Sequence, residues 1–260
     1  MFGRKDGIEI KTADQLAAMR AAGLVVATTL KRVSDAVAPG LTTKQLDAIA
    51  HDCILEHGAT PSFLGYHGFP AVICTSVNDE VVHGIPGGTV LRDGDLLSID
   101  CGAIVDGWHG DAAVTVAVGT ISPEDQRLSD VTEAAMWAGL AAARVGAHLT
   151  DISHAVETSI RGAGEYGIVE DYGGHGIGTA MHMSPHILNY GRPGKGPVLR
   201  PGMALAIEPM VCRGAQGVEV LSDGWTVVTA DRARAAHWEH TVAVTEAGPW
   251  VLTALDDVRL

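Results

Sequence analysis

Hydrophobic residues recur every three or four positions in two stretches near the beginning of the chain. The first covers 16–37 and is preceded by Thr12 and Gln15 in the spacing of a capping box. The second is shorter, and Thr42 and Gln45 precede it in the same spacing. Because this period brings apolar residues to one helix face, the pattern predicts two amphipathic helices.

A second pair of helices is predicted further along the chain. Ser122 is a favoured N-cap, Pro123 suits the first helical position, and acidic residues follow in the first turn. Beyond this helix, Ile152, Val156 and Ile160 share one face of another. Each half of the chain therefore predicts two helices followed by strands.

This repeated order favours an α+β fold with two pseudo-symmetric halves and a central sheet backed by four helices. We expect a short amino-terminal extension over 1–10 and a single catalytic domain over 11–260. The halves of that domain are expected at about 11–121 and 122–260.

One strand pattern occurs twice. The segment VLRDGDLLSID (90–100) is repeated as VLRPGMALAIEP (198–209), and 108 residues separate Asp100 from Glu208. Each segment predicts a buried strand that ends on an acid. Since an apolar strand gains nothing in packing from a buried carboxylate, the recurrence indicates a shared role for the two acids.

Two further acids accompany the neighbouring strands. The pair Asp106-Gly107 predicts a two-residue hairpin, which places Asp111 on the same sheet face as Asp100, one diagonal step away. In the second half, Glu239 precedes an apolar strand as Asp111 does in the first. A twofold axis between the halves brings all four acids to the middle of the sheet.

Four carboxylates at one place repel one another, and two divalent cations neutralise their charge. Carboxylates joined by one or two imidazoles suit Mn²⁺, Fe²⁺, Co²⁺ or Zn²⁺. For any single acid, a solvated strand end is the simpler interpretation. The recurrence at four matching positions favours a metal site.

Composition narrows the class of protein. The 260 residues carry a formal net charge of −13, which argues against a nucleic-acid surface spread over the molecule. None of the four cysteines forms a C-x-x-C pair, a pattern typical of a reducing cytosol. No secretory h-region and no apolar run of membrane-spanning length is present, so we expect a cytoplasmic protein without membrane attachment.

Twelve histidines occur, and two of them stand in an HGI triplet, His83 and His175. Glycines on both sides of His175 allow close approach of the backbone and favour a role at the site. For His83, which follows two valines, a buried core position is the simpler interpretation. His51 and His57 are expected at exposed helix positions.

Seven motifs, in one order, resemble the type I methionine aminopeptidases. They are SVNDEVVHGIP, IDCGAIVDGWHGD, DYGGHGIG, MHMSPHI, AIEPM, DGWTVVT and AHWEHTVAV, within a resemblance that spans 11–253. The resemblance implies the pita-bread fold shared with prolidase and creatinase, with a central antiparallel sheet. It also implies the short bacterial form and removal of an N-terminal methionine when the second residue is small.

The resemblance further implies the site residues. The metal ligands would be Asp100, Asp111, His175, Glu208 and Glu239, with Asp111 and Glu239 bridging two ions. The catalytic residues would be His83, His182 and Glu208, the last as a proton shuttle. The substrate would be bound by Phe63, Tyr66, Phe69, Cys74, His83, Met181, His182 and Trp225.

Cofactor and partners follow from the same resemblance. Two divalent ions are implied, and Co, Mn, Fe, Zn and Ni all suit the ligands. The implied substrates are nascent or newly made polypeptides that begin with methionine. We also expect a transient contact with the ribosome and a monomeric state.

Two alternatives stay open at this point. A prolidase-like peptidase would use the same five ligands, although the amino-terminal domain of those enzymes has no counterpart in this sequence. A catalytically silent pita-bread protein that binds ribosomes or nucleic acid would lose ligands, whereas this chain has all five.

Overall fold

The computed structural model describes residues 7–260, so the first six residues of the expected extension over 1–10 lie outside the described part. None of the helices in that part is long and apolar enough to cross a membrane. The helices are α1 (Ala13–Ala36), α2 (Thr43–Glu56), α3 (Pro123–Ala142) and α4 (Leu149–Ala163), and a short 3-10 turn covers Tyr66–Gly68.

The strands are short apart from two that form a long hairpin. In chain order they are β1 (Thr60–Pro61), β2 (Ile73–Val77), β3 (Glu80–Val82), β4 (Leu96–Val105), β5 (Trp108–Ala117), β6 (Gly167–Ile168), β7 (Gly174–Gly176), β8 (Met183–Ile187), β9 (Ala204–Ile207), β10 (Met210–Cys212), β11 (Val218–Val220), β12 (Val227–Thr229), β13 (Ala235–His237), β14 (Glu239–Thr245), β15 (Gly248–Val251) and β16 (Val258–Arg259).

The first three helices begin where the sequence predicts. Thr12 is the N-cap of α1 and Thr42 that of α2, and each forms a complete capping box with the glutamine three residues later. Ser122 caps α3 by accepting a hydrogen bond from the backbone N–H of Asp125. These caps satisfy backbone donors that a helix beginning leaves free, which fixes where each helix starts.

A ten-stranded antiparallel sheet occupies the centre of the molecule. Its main path is β1-β4-β5-β14-β9-β7-β8, with β2 beside β4 and with β15 and β16 beyond β14. The strands β4 and β5 of the first half therefore meet β14 and β9 of the second. Two three-stranded sheets, β13-β10-β6 and β11-β12-β3, accompany the central one.

Each half has its own hydrophobic core. In the first half, α1 and α2 cover β2, β4 and β5, with Val26, Leu46 and Ile99 fully buried between them. In the second, α3 and α4 pack over β9 and β14 around Met136 and Ile152. The predicted α+β fold, with pseudo-symmetric halves and four helices backing an antiparallel sheet, is confirmed.

The hairpin between β4 and β5 differs from the expectation in one respect. The turn lies at Asp106 and Gly107, as predicted, and both residues adopt positive φ angles. Because the turn is there, β4 continues beyond Asp100 to Val105, and Asp111 lies within β5. The prediction that Asp100 ends its strand and Asp111 precedes the next was therefore wrong, while the hairpin itself is confirmed.

Candidate active site

The four predicted carboxylates lie on the central strands. Asp100 on β4 and Glu239 on β14 both pair with Ala113 of β5, one from each side. Asp111 stands two residues before Ala113 and therefore points to the same face. Glu208 directly follows β9, the next strand beyond β14. The sheet register thus brings the acids together, with Asp100 and Asp111 in the predicted diagonal relation.

Burial makes this cluster electrostatically costly. Burial raises the pKa of Asp100 to about 7 and that of Glu208 to about 8. Burial and the neighbouring carboxylates also raise the pKa values of Asp111 and Glu239 well above their usual range. Without a cation, acids in such surroundings hold protons near neutral pH.

Several oxygen atoms of the cluster have no protein partner. Asp100 Oδ1, Asp111 Oδ1 and Glu239 Oε1 are buried, and none forms a hydrogen bond within residues 7–260. Buried polar atoms are almost always paired, so three such atoms along one cavity indicate a missing ligand. Carboxylate oxygens beside imidazole nitrogens suit divalent transition metals, and the residues present therefore fit a metal centre.

His175, on β7, presents an unprotonated nitrogen to this cluster. Its Nδ1 lies 3.0 Å from the carbonyl oxygen of Gly176, so Nδ1 carries the proton and Nε2 keeps a free lone pair. Nε2 is 3.4 Å from Glu208 Oε1 and 3.9 Å from Asp111 Oδ2. Burial lowers the pKa of His175 to about 3, so the ring is neutral, the form that binds metals. A lone pair facing ionised carboxylate oxygens is repulsive unless a proton or a cation lies between them.

The glycines around His175 allow the backbone to come close. A Cβ atom at Gly174 would stand 2.2 Å from the carbonyl oxygen of Ala206, and one at Gly176 would stand 2.2 Å from that of Ser184. Neither position has room for a side chain. The close approach predicted from the flanking glycines is confirmed.

An apolar pocket adjoins the carboxylates. The Phe69 ring stands edge-on to Phe63, with centroids 6.5 Å apart, and to Trp225, with centroids 5.1 Å apart. The pocket and the acids line one cavity of about 130 Å³. All the residues predicted to bind substrate line it: Phe63, Tyr66, Phe69, Cys74, His83, Met181, His182 and Trp225.

Two further histidines line the same cavity. His182 Nδ1 lies 2.8 Å from the hydroxyl oxygen of Tyr66, and its ring centroid is 4.3 Å from that of His175. His83 is half-buried rather than part of the core, and burial lowers its pKa to about 4. Its φ of 59° lies in the left-handed region, as do those of four other non-glycine residues, including the turn residue Asp106.

Sequence reasoning missed three residues of this region. Ala71 and Ile85 join the apolar cluster of the pocket, but both lie in irregular segments where no periodicity indicates burial. His237 is buried beside Glu208 and Glu239. A signal for His237 was available, because it stands two residues before Glu239 and an extended chain turns both side chains to one face.

Comparisons with known proteins agree with this geometry. Residues 17–246 match the family described as metallopeptidase family M24. Methionine aminopeptidase 1 of Mycobacterium tuberculosis (strain CDC 1551 / Oshkosh) is 57% identical over 249 residues, which cover 94% of each chain. The crystal structure of methionine aminopeptidase from Rickettsia prowazekii has a TM-score of 0.93 at 42% identity, over 95% of this chain and 100% of that one.

A more distant neighbour bears on the fold alone. Prolidase from Pyrococcus furiosus is 21% identical and has a TM-score of 0.76, over 95% of this chain and 66% of its own. The pita-bread architecture is thus common to both, as expected. From the family match and the high identity over most of its length, the chain belongs to metallopeptidase family M24 and, within it, to the methionine aminopeptidases.

Proposed function

We propose that this protein is a two-metal aminopeptidase that removes the N-terminal methionine of polypeptides whose second residue is small. The observation that carries the proposal is a single cavity with an apolar wall on one side and the carboxylate–imidazole cluster on the other. An unbranched, polarizable methionine side chain suits walls of aromatic rings and sulfur, which Phe63, Cys74 and Met181 supply.

The proposed metal ligands come from both halves of the chain. As the family resemblance implies, Asp111 and Glu239 would be shared by both ions, and the two residues lie on the neighbouring strands β5 and β14. Co, Mn, Fe, Zn and Ni are all compatible with these donors. Bound there, divalent ions supply a Lewis acid for the scissile carbonyl group and lower the pKa of a water molecule. The ligands of the two ions are Asp100, Asp111, His175, Glu208 and Glu239.

Three side chains are proposed to handle protons and developing charge. Glu208, which lines the cavity at the carboxylate cluster, would hold and pass a proton at its carboxyl group. With His182 as the Nε2–H tautomer, its Nδ1 would accept from the Tyr66 hydroxyl 2.8 Å away, and the Nε2–H would stabilise the developing oxyanion. His83, which lines the cavity and whose pKa burial lowers to about 4, would meet the departing peptide nitrogen in its neutral form.

We further propose that 11–260 act as one catalytic unit, built from the halves 11–121 and 122–260. The support is that ligands from both halves share one cluster. The unit acts in the cytoplasm as a monomer on nascent or newly made chains, with a transient contact at the ribosome.

Peptide selectivity tests the proposed function. Metal-reconstituted protein would be incubated separately with Met-Ala-Ser, Met-Phe-Ser and the dipeptide Ala-Pro, and products would be measured by mass spectrometry. We expect methionine release from Met-Ala-Ser, release at least about a hundredfold slower from Met-Phe-Ser, where the phenyl ring misplaces the scissile carbonyl, and no cleavage of Ala-Pro. Preferential cleavage of Ala-Pro would favour the prolidase alternative. Absence of both hydrolysis and bound transition metal would favour the silent one.

A further inference from the structure

A buried histidine outside the predicted ligand set faces the carboxylates. His237 is the last residue of β13 and is 2% exposed, and its Nε2 has no hydrogen-bond partner in the part of the chain that the structure describes. Its backbone is fixed, because its N–H donates to Thr115 Oγ1 (3.0 Å) while the Thr115 hydroxyl donates to its carbonyl oxygen (2.8 Å). A fixed backbone with an unpaired, buried ring nitrogen indicates a prepared ligand rather than a packing residue.

Nε2 of His237 and Nε2 of His175 lie at similar distances from the carboxylate oxygens that each of them faces. Nε2 of His237 is 3.6 Å from Glu208 Oε2 and 4.0 Å from Glu239 Oε2. The corresponding separations for His175 are 3.4 Å and 3.9 Å. Atoms that bind one ion at about 2.1 Å stand about 3–4 Å apart, whereas an N–H···O hydrogen bond is about 2.9 Å long. Both rings therefore have the spacing of co-ligands.

The possible ligand atoms form two overlapping groups. One group is Asp111, His175 and Glu239, and the other is Glu208, His237 and Glu239. Because Glu239 belongs to both, the cluster offers one imidazole on each side of a shared carboxylate. The five-ligand set contains a single imidazole, so it does not account for His237.

We propose that Nε2 of His237 is a sixth protein ligand of the metal centre and binds an ion together with Glu208 and Glu239. The inference rests on the proposed function, since it adds a donor to the same centre. A neutral imidazole adds no charge to the four carboxylates. It also shifts the preference of the centre towards ions that accept nitrogen donors, such as Co²⁺ and Zn²⁺, and away from Mg²⁺.

Cobalt binding to the metal-free protein tests this ligand. Wild type, His237→Gln and His109→Gln would be compared by titration calorimetry and by X-ray absorption fine structure at the cobalt edge, which counts imidazoles. His109 is the matched control, because it stands two residues before Asp111 as His237 does before Glu239, yet its Nδ1 is engaged by Ser62 Oγ at 3.0 Å. Circular dichroism would verify that each variant is folded.

We expect wild type and His109→Gln to bind two Co²⁺ ions with about one imidazole per ion. His237→Gln should bind at least one ion about tenfold or more weakly, since loss of a single group at a metal site typically costs about 10–100-fold in affinity, and its imidazole count should halve. Unchanged affinity and count in His237→Gln would overturn the proposal.

The imidazole count of the wild-type protein tests whether His237 is a ligand even if the His237→Gln variant does not fold. About one imidazole per cobalt supports His237 as a ligand, and about half an imidazole per cobalt, from His175 alone, overturns it. A wild-type protein that bound no Co²⁺ would contradict the proposed function itself, and the ligand assignment with it.

Discussion

The two halves share a short sequence pattern, a histidine two residues before an acid. The burial and the partners of this histidine differ between the halves. In the first half, the His109 ring is half-buried and bonds to Ser62. In the second, His237 is fully enclosed, and its Nε2 faces carboxylates instead of a hydroxyl group. The acids themselves, Asp111 and Glu239, converge on one cluster. The duplicated pattern therefore sets the positions of the carboxylates, whereas the residues around each histidine determine which groups its imidazole contacts.

The residue between histidine and acid also differs, and it anchors each half to its own helix layer. A Cβ atom at Gly110 would stand 2.8 Å from the backbone nitrogen of Gly23, so this glycine lets α1 cross β5 closely. In the second half the position is Trp238, whose Nε1–H donates to Ser129 Oγ on α3 at 3.0 Å. The pseudo-symmetry thus holds for the sheet and the acids rather than for the helix contacts.

Substitution of the paired acids Asp111 and Glu239 is expected to reduce activity most. Comparing the two variants tests whether the acids of the two halves are equivalent. Asp111→Asn and Glu239→Gln should each lose metal and reduce kcat/KM at least about a thousandfold, because each removes a shared ligand of a Lewis-acid centre. Metal content by mass spectrometry and peptide kinetics would be measured together. Asp35→Asn, on the exposed end of α1, is the control and should change neither quantity. If one acid variant kept its metal and its rate, the two halves would not be equivalent at the site.

A smaller loss of activity is expected for substitution of His182 than for substitution of the paired acids, and substitution of the adjacent ring, His175, provides the comparison. His182→Ala should lower kcat by roughly a hundredfold or more while keeping the metal content, because it removes a donor to the oxyanion. His175→Ala should lose metal as well. The measurement is the metal content of each purified variant beside its kcat. Metal loss from His182→Ala would show that this ring is a ligand rather than an oxyanion donor.

The stability of the metal-free protein should depend on pH in a defined direction. The folded-state pKa values of Asp100 and Glu208 are raised to about 7 and about 8, so these groups stabilise the fold below about pH 4 and lose that contribution as the pH rises towards 8. We expect the Tm of metal-free protein to fall by several degrees between about pH 5 and about pH 8. Adding Co²⁺ should flatten this slope, because a cation replaces the protons. If the Tm–pH curves with and without metal were parallel, protonation of the buried carboxylates would not be the source of the pH dependence.

The smallest effect concerns the apolar wall in the first half. A Cβ atom at Gly102 would stand 2.7 Å from Phe63 Cε1 and 2.8 Å from Ser62 Cβ. Gly102→Ala should therefore displace the Phe63 ring and raise KM for Met-Ala-Ser about threefold to tenfold, with metal content unchanged. Gly107→Ala, in open space at the hairpin turn, controls for a general loss of stability. If folded Gly102→Ala protein had an unaltered KM, Phe63 would not be part of the methionine pocket.

Local signals in the sequence were enough to predict the helices and the acid cluster. Thr12, Thr42 and Ser122 identify helix beginnings because capping depends on residues within one turn. The Asp106-Gly107 turn fixes the register of β4 and β5, and that register determines which side chains share a face. The same reasoning placed Asp100 at a strand end, and this was wrong because a carboxylate does not terminate a strand when the hairpin turn lies six residues later.

The parts that sequence reasoning missed depend on contacts between distant segments. Ile85 and Ala71 reach the pocket through irregular backbone, which has no period to recognise. The resemblance indicated the pocket aromatic residues Phe63 and Trp225, whereas no local pattern brings residues 162 positions apart together. His237 was overlooked because, with twelve histidines in the chain, alternation alone does not single out one of them.

The central claim is that the two halves build one metal-dependent hydrolytic centre. The most direct measurement is methionine release from Met-Ala-Ser by exhaustively metal-free protein during stepwise addition of Co²⁺. We predict no turnover at the start, a rise with added metal and saturation by two ions per chain, with His109→Gln following the same curve. Full turnover by metal-free protein, unaffected by added Co²⁺, would contradict the account.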